Sequence, residues 1–160
     1  MRAVVQRVRS ASVTVADASI AEIGRGLLVL VGFHPDDSAT DIAWLADKLV
    51  GLRIFPDENK PMNASVGDVS GALLLVPQFT LAADTARGKR PGFSSAAAPE
   101  QAQRLFADLV SAVADLSPRL STREFGANMQ VALVNEGHRT IVYQRNLHIR
   151  TKLSRAQPRE

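Results

Sequence analysis

"ALLLVPQFTLAADTARGKRPGF", Ala72 to Phe93, starts as an apolar strand and finishes as a basic loop. Its opening residues show no polar alternation, which marks a buried strand. A second run of the same kind, "LLVLVGF" (Leu27–Phe33), precedes it. Between the two, Ile42, Leu45, Leu49 and Leu52 recur at helical spacing, predicting a helix from about Thr40 to Leu52 with Ser38 or Thr40 as N-cap.

Further out, "AVVQRVRSASVTV" (Ala3–Val15) alternates as a strand, with Arg9-Ser10-Ala11 as a break. "SIAEI" (Ser19–Ile23) is a further strand, and Gly24-Arg25-Gly26 turns the chain again. Residues Pro56 to Gly71 are turn-rich and hold no clear element. A second helix runs from Pro99 to about Leu116, with proline suited to the first turn and Pro118 as the stop. Its apolar face is Ala102, Leu105, Phe106, Leu109, Val110 and Val113. Two strands close the domain, "MQVALVN" (Met129–Asn135) and "TIVYQ" (Thr140–Gln144), joined by "EGHR". Strands before, between and after two helices predict an α+β fold: a curved, barrel-like, mostly antiparallel or mixed sheet with both helices packed on it.

At 160 residues the chain suits a single domain able to bury its own core. It has no cysteine, which excludes disulfides and thiolate chemistry. "MRAVVQRVRS" does not read as a secretory signal and no apolar run is long enough for a bilayer, so the expectation is a cytoplasmic protein with no membrane contact. Of the net charge of +3, residues Arg145 to Glu160 carry five Arg or Lys against one acid, or +4, leaving −1 for residues 1–144. The division expected is a domain over 1–144 and a basic, flexible tail over 145–160.

Conventional catalytic patterns are missing. His34, His138 and His148 have no metal-ligand spacing, and there is no G-x-S-x-G elbow. "GRGLLV" lacks the third glycine of a dinucleotide fingerprint, and Ala83 and Arg90 break the phosphate-loop pattern around "ARGKRPG". No metal and no cofactor is expected.

Six ordered motifs carry a resemblance over residues 1–144: "QRV" (Gln6–Val8), "ASVTV" (Ala11–Val15), "GLLVLVG" (Gly26–Gly32), "RIFPDENKPMN" (Arg53–Asn63), "QFTLAADTARGKRPGF" (Gln78–Phe93) and "MQVALVNEG" (Met129–Gly137). On these the chain resembles the D-aminoacyl-tRNA deacylases. The resemblance implies a homodimer that hydrolyses the ester between a D-amino acid, or glycine, and the terminal adenosine of tRNA, a proofreading step in translation. It implies catalysis by main-chain atoms and the substrate's own 2′-hydroxyl rather than by a protein nucleophile, with positioning and backbone amides near Gln78 and Phe79 lowering the barrier. Gln78, Phe79 and Thr80 would form the floor of the pocket, and Thr80 has no visible base to make it a nucleophile. Phe125 and Met129 would line an adenine pocket. Arg87, Lys89 and Arg90, three cations within four residues, would meet tRNA phosphates.

Two departures matter. The family's Ser before the glutamine is Pro77 here, which removes a hydroxyl and a backbone N–H. The family's Asn-X-Gly-Pro, whose Gly-Pro bond is cis and which enters the partner subunit's pocket as the chiral filter, is "NEGH" here. Gly137 and His138 would form that filter, with Arg7 and Asn135 supporting it. A non-proline cis bond costs about 2.5–4 kcal/mol, so Gly137–His138 is expected to be trans unless packing imposes the strain. Two further readings stay open: a tRNA- or nucleic-acid-binding relative with a relaxed or lost filter and no turnover, and a hydrolase of another small ester.

Overall fold

The computed structural model describes residues 1–117, 119–122 and 128–145. β1 is one strand of 14 residues, Arg2–Val15, around which the sheet is built. β6 (Gln130–Gln144) lies antiparallel along one edge of it. The other edge is shared by β3 (Gly26–Gly32), paired with Arg2–Val8, and β2 (Ala18–Ile23), paired with Ala11–Val15. The expected break at Arg9-Ser10-Ala11 is therefore not a break in the strand. It is a register shift, across which β1 exchanges one partner for another.

The expected turn at Gly24-Arg25-Gly26 is a corner and not a reversal. β2 and β3 both run antiparallel to β1, so the chain turns a corner there and keeps its direction. Gly26 is required at that corner, because a Cβ would lie 1.9 Å from the Ala72 carbonyl oxygen.

β4 (Ala72–Pro77) is parallel to β3, and the short β5 (Leu120–Thr122), which the residue pattern did not reveal, is parallel to β4. Parallel neighbours need crossover connections, supplied by α1 (Ala39–Gly51) and α2 (Pro99–Leu116). At the N-terminus of α1, Asp41 in the first turn accepts from the amide and the hydroxyl of the N-cap Ser38, at 2.9 and 3.0 Å. Both helices lie on one face of a curled mixed sheet. Leu27, Val29, Val31, Leu73 and Leu75 meet Leu45, Leu49, Phe106 and Leu109 there, while Leu28, Leu74 and Val76 point into a second cluster with Val8, Ala11 and Val13. Burying each such Leu contributes about 1.5–3 kcal/mol. The central strands are apolar throughout because both of their faces are covered.

The two closing strands expected from sequence are one strand with an irregularity. β6 pairs Thr140 with Gln6 and Asn135 with Val8, so residues 136–139 bulge out opposite Arg7. At its far end Arg145, placed by sequence in the tail, is anchored. Its Nε is 2.7 Å from Asp41 Oδ1, and its guanidinium lies 4.9 Å from the Trp44 ring centre. The rest of the tail and Phe125 lie outside the described residues. No helix among the described residues is long and apolar enough to cross a membrane.

Candidate active site

β4 ends by entering a short 3-10 helix, Phe79–Ala82. The entry is fixed by the Gln78 amide, which donates to the Val31 carbonyl at 2.7 Å. Along β4, the even-numbered residues direct their amides to β3, whereas Leu73 donates toward β5 at Arg119 O, 3.1 Å away. Pro77 has the same parity as Leu73 and lies beyond the last described β5 pairing, Leu75 with Thr122.

The helix ladder starts with Leu81 N–H donating to Gln78 O at 3.2 Å. The amides of Phe79 and Thr80 come before it and stand outside the ladder. The Gln78 side-chain amide donates to Thr80 Oγ1, which joins two of the expected site residues directly. Gln78 is half-buried, whereas Thr80 is exposed and Phe79 is 56% exposed. Arg2 closes the other end of the helix by donating to Leu81 O at 3.0 Å.

Phe79 packs edge-on against Phe93, ring centres 5.3 Å apart, and this places the basic loop beside the turn. Asp84 and Gly92 exchange backbone hydrogen bonds of 2.7 and 2.8 Å, pinching the loop shut at its base. Arg87, Lys89 and Arg90 stand exposed on the closed loop, which turns through Gly88 at φ +68°. Met129 is half-buried against the second cluster, which also holds Leu74 and Val76 of the strand leading to Gln78.

The 136–139 bulge forms a second group. Arg7 reaches under it, donating Nε to the Glu136 carbonyl at 3.0 Å and NH1 to the Ile54 carbonyl at 2.6 Å. Burial pulls the Arg7 guanidinium below its ordinary pKa; Glu136 opposes that shift, and the charges of Arg139 and Arg25 add to it. Asn135 pairs with Val8 at the base of the bulge. Gly137 has φ +69°, left-handed backbone suited to glycine, and the Gly137–His138 bond is trans, since no peptide bond among the described residues is cis.

The two groups do not meet within one chain. Gln78 is tied to Val31, whereas the bulge faces Arg7, which pairs with Leu27. The offset along β3 alone is about 13 Å. Three neighbours of these groups lie outside the residues expected from sequence: Gly32, where a Cβ would lie 2.7 Å from the Gln78 carbonyl oxygen, and Arg25 and Glu136, paired at 3.3 Å beside the bulge. "GLLVLVG" and "NEG" were visible as motifs, but nothing local linked Arg25 to Glu136. Among the described residues no group of three or more His, Asp or Glu side chains is arranged to hold a metal ion.

The family model for D-Tyr-tRNA(Tyr) deacylase matches residues 4–144. A protein of Dinoroseobacter shibae named D-aminoacyl-tRNA deacylase is 52% identical over 141 residues, covering 88% of this chain and 97% of that one. Its namesake in Chlorobaculum tepidum is 50% identical over 145 residues, covering 90% and 97%. Among solved structures, one named c-Myc DNA Unwinding Element Binding Protein superimposes with a TM-score of 0.86 at 36% identity, over 91% of this chain and 99% of that one. A probable eukaryotic D-amino acid tRNA deacylase shares the fold, with a TM-score of 0.79 at 17% identity over 89% and 97%. With that agreement in motif order, length and fold, the chain belongs to the D-Tyr-tRNA(Tyr) deacylase family.

Proposed function

We propose that the protein is an aminoacyl-tRNA ester hydrolase that removes D-amino acids and glycine from tRNA. The observation that carries this reading is the Gln78–Thr80 turn: a half-buried amide side chain tied to a hydroxyl, beside two backbone N–H groups outside the helix ladder. Such donors suit the oxyanion of a tetrahedral ester intermediate. Held there, the ester meets water and its own 2′-hydroxyl in near-attack geometry, and no protein nucleophile is needed. Phe125 and Met129 would receive the adenine, and Arg87, Lys89 and Arg90 the phosphates.

The site is completed across a homodimer, with Gly137 and His138 of one subunit entering the pocket of the other, and Arg7 and Asn135 bracing them. Two observations support this. The turn and the bulge are separated within one chain, and β6 leaves Val134 and Val142 exposed at 55% and 57%, apolar side chains available to a second copy. Because Gly137–His138 is trans, we infer a relaxed filter that hydrolyses L-aminoacyl esters slowly instead of sparing them.

Deacylation of matched D-tyrosyl-, L-tyrosyl- and glycyl-tRNA tests the reading. The expected order is rapid loss of the D and glycyl esters with slow, measurable loss of the L ester. Failure to cleave any of them sinks the enzyme reading.

The exposed loop cations favour a second reading, nucleic-acid binding without turnover, and the name of the 36%-identical structure points to DNA binding by that protein. Salt-dependent RNA or DNA affinity in the absence of ester hydrolysis is its signature.

A further inference from the structure

Glu136 is held from two separate elements, and the second holder, Arg25, lies outside the motifs that mark the site. Arg7 approaches from β1, with Nε 3.4 Å from Glu136 Oε2 in addition to its bond to the Glu136 carbonyl. Arg25 approaches from the corner between β2 and β3, with Nε 3.3 Å from the Glu136 carboxylate. The Arg25 guanidinium also lies 5.2 Å from the centre of the Phe55 ring, a fully buried member of the main core. Arg25 therefore links the bulge to a fixed part of the molecule.

That link matters because Glu136 leads directly into the two residues of the filter. Gly137 has the widest backbone freedom of any residue type, and His138 has no ring to restrict φ as proline would. Residues 136–139 also lack ladder partners on β1. The direction of the Gly137 carbonyl then depends on how firmly Glu136 is held. Arg7 fixes the Glu136 main chain, and Arg25 fixes its carboxylate from another side.

We propose that Arg25 is a positioning residue for the 136–139 bulge, acting through Glu136 to hold the Gly137 carbonyl and so to set discrimination at the substrate α-carbon. This rests on the reading of the bulge as the chiral filter. A partly exposed pair contributes little to fold stability, so the effect falls on selectivity rather than on folding.

The test uses the full chain with Arg25→Ala, Arg25→Lys, Glu136→Gln and the Arg25→Ala/Glu136→Gln double variant. For each, kcat and KM are measured on D- and L-tyrosyl-tRNA, with a thermal melt alongside. Arg25→Ala is expected to lower the D-over-L ratio of kcat/KM about threefold with an unshifted melt. Arg25→Lys, which keeps a cation on Glu136, recovers most of the ratio, and the double variant is no worse than Glu136→Gln alone. An unchanged ratio in Arg25→Ala, or additive losses in the double variant, overturns the inference and leaves the deacylase reading standing. So does an unsubstituted protein that cleaves both esters equally. No cleavage of either ester by the unsubstituted protein overturns the deacylase reading and this inference with it.

Discussion

Gly32, the last residue of β3, passes so close to Gln78 that a Cβ on it would lie 2.7 Å from the Gln78 carbonyl oxygen and 3.0 Å from Leu81 Cβ. The glycine allows the 3-10 turn to seat directly on the end of β3. Gly32→Ala forces that turn outward, because the obstructing atom belongs to the backbone. The expected cost is about 1–3 kcal/mol in a denaturant titration, together with a larger fractional fall in kcat than in 1/KM for the D ester.

Thr80 accepts a hydrogen bond from the Gln78 amide, which is not a base. Thr80→Ala should therefore reduce single-turnover deacylation by about fivefold, the equivalent of one lost hydrogen bond. A loss of about 10⁴-fold or more would identify Thr80 as a nucleophile and reject positioning as the main source of rate.

His138→Pro restores a restricted backbone after Gly137. The expected result is a higher D-over-L ratio, mainly through slower L-tyrosyl-tRNA cleavage. A ratio that stays put would separate position 138 from chirality.

Arg87, Lys89 and Arg90 are exposed, so replacing all three by alanine should leave stability within about 0.5 kcal/mol. Affinity for tRNA should fall, and the slope of log K against log salt should flatten by about two to three. An unaltered slope would remove this loop from the phosphate contacts.

Asp57 organises the 56–63 segment by accepting from the Asn63 side chain and from the amides of Asn59 and Lys60, the latter two at 2.8 Å. Those bonds, that of Asn63 foremost, hold its carboxyl below the ordinary value of 3.8. A lowered folded pKa means the ordering is complete above 3.8 and is lost as the pH falls through the folded value. Amide exchange at Asn59 and Lys60 should stay slow down to that range and then accelerate, whereas in Asp57→Ala it should be fast at every pH.

Local pattern accounts for much of the architecture. Of the expected face, Ala102, Leu105, Phe106, Leu109 and Val113 are buried and Val110 is half-buried, and α2 spans Pro99–Leu116 as expected. α1 begins one residue earlier than expected, capped at Ser38. Sequence reading failed where residue type underdetermines pairing. Arg9-Ser10-Ala11 looks like an interruption, yet β1 continues because β6 supports it throughout while β3 gives way to β2. "EGHR" looks like a connection between two strands, but with β1 as partner on both sides the chain bulges and runs on. The three-residue β5 is too short to carry a period of its own.

By itself the sequence determined the two helices, the apolar central strands and the ordered motifs of the family, because periodicity and side-chain chemistry are properties of neighbours along the chain. Only the tertiary structure decided that Gly32 meets Gln78, that Gln78 and Gly137 stand apart in one chain, and that Arg25 holds Glu136, 111 positions away. Those relations depend on strand register and on the curl of the sheet. Both are set by packing the two faces of β1, β3 and β4 together, a condition that no short stretch of residues encodes.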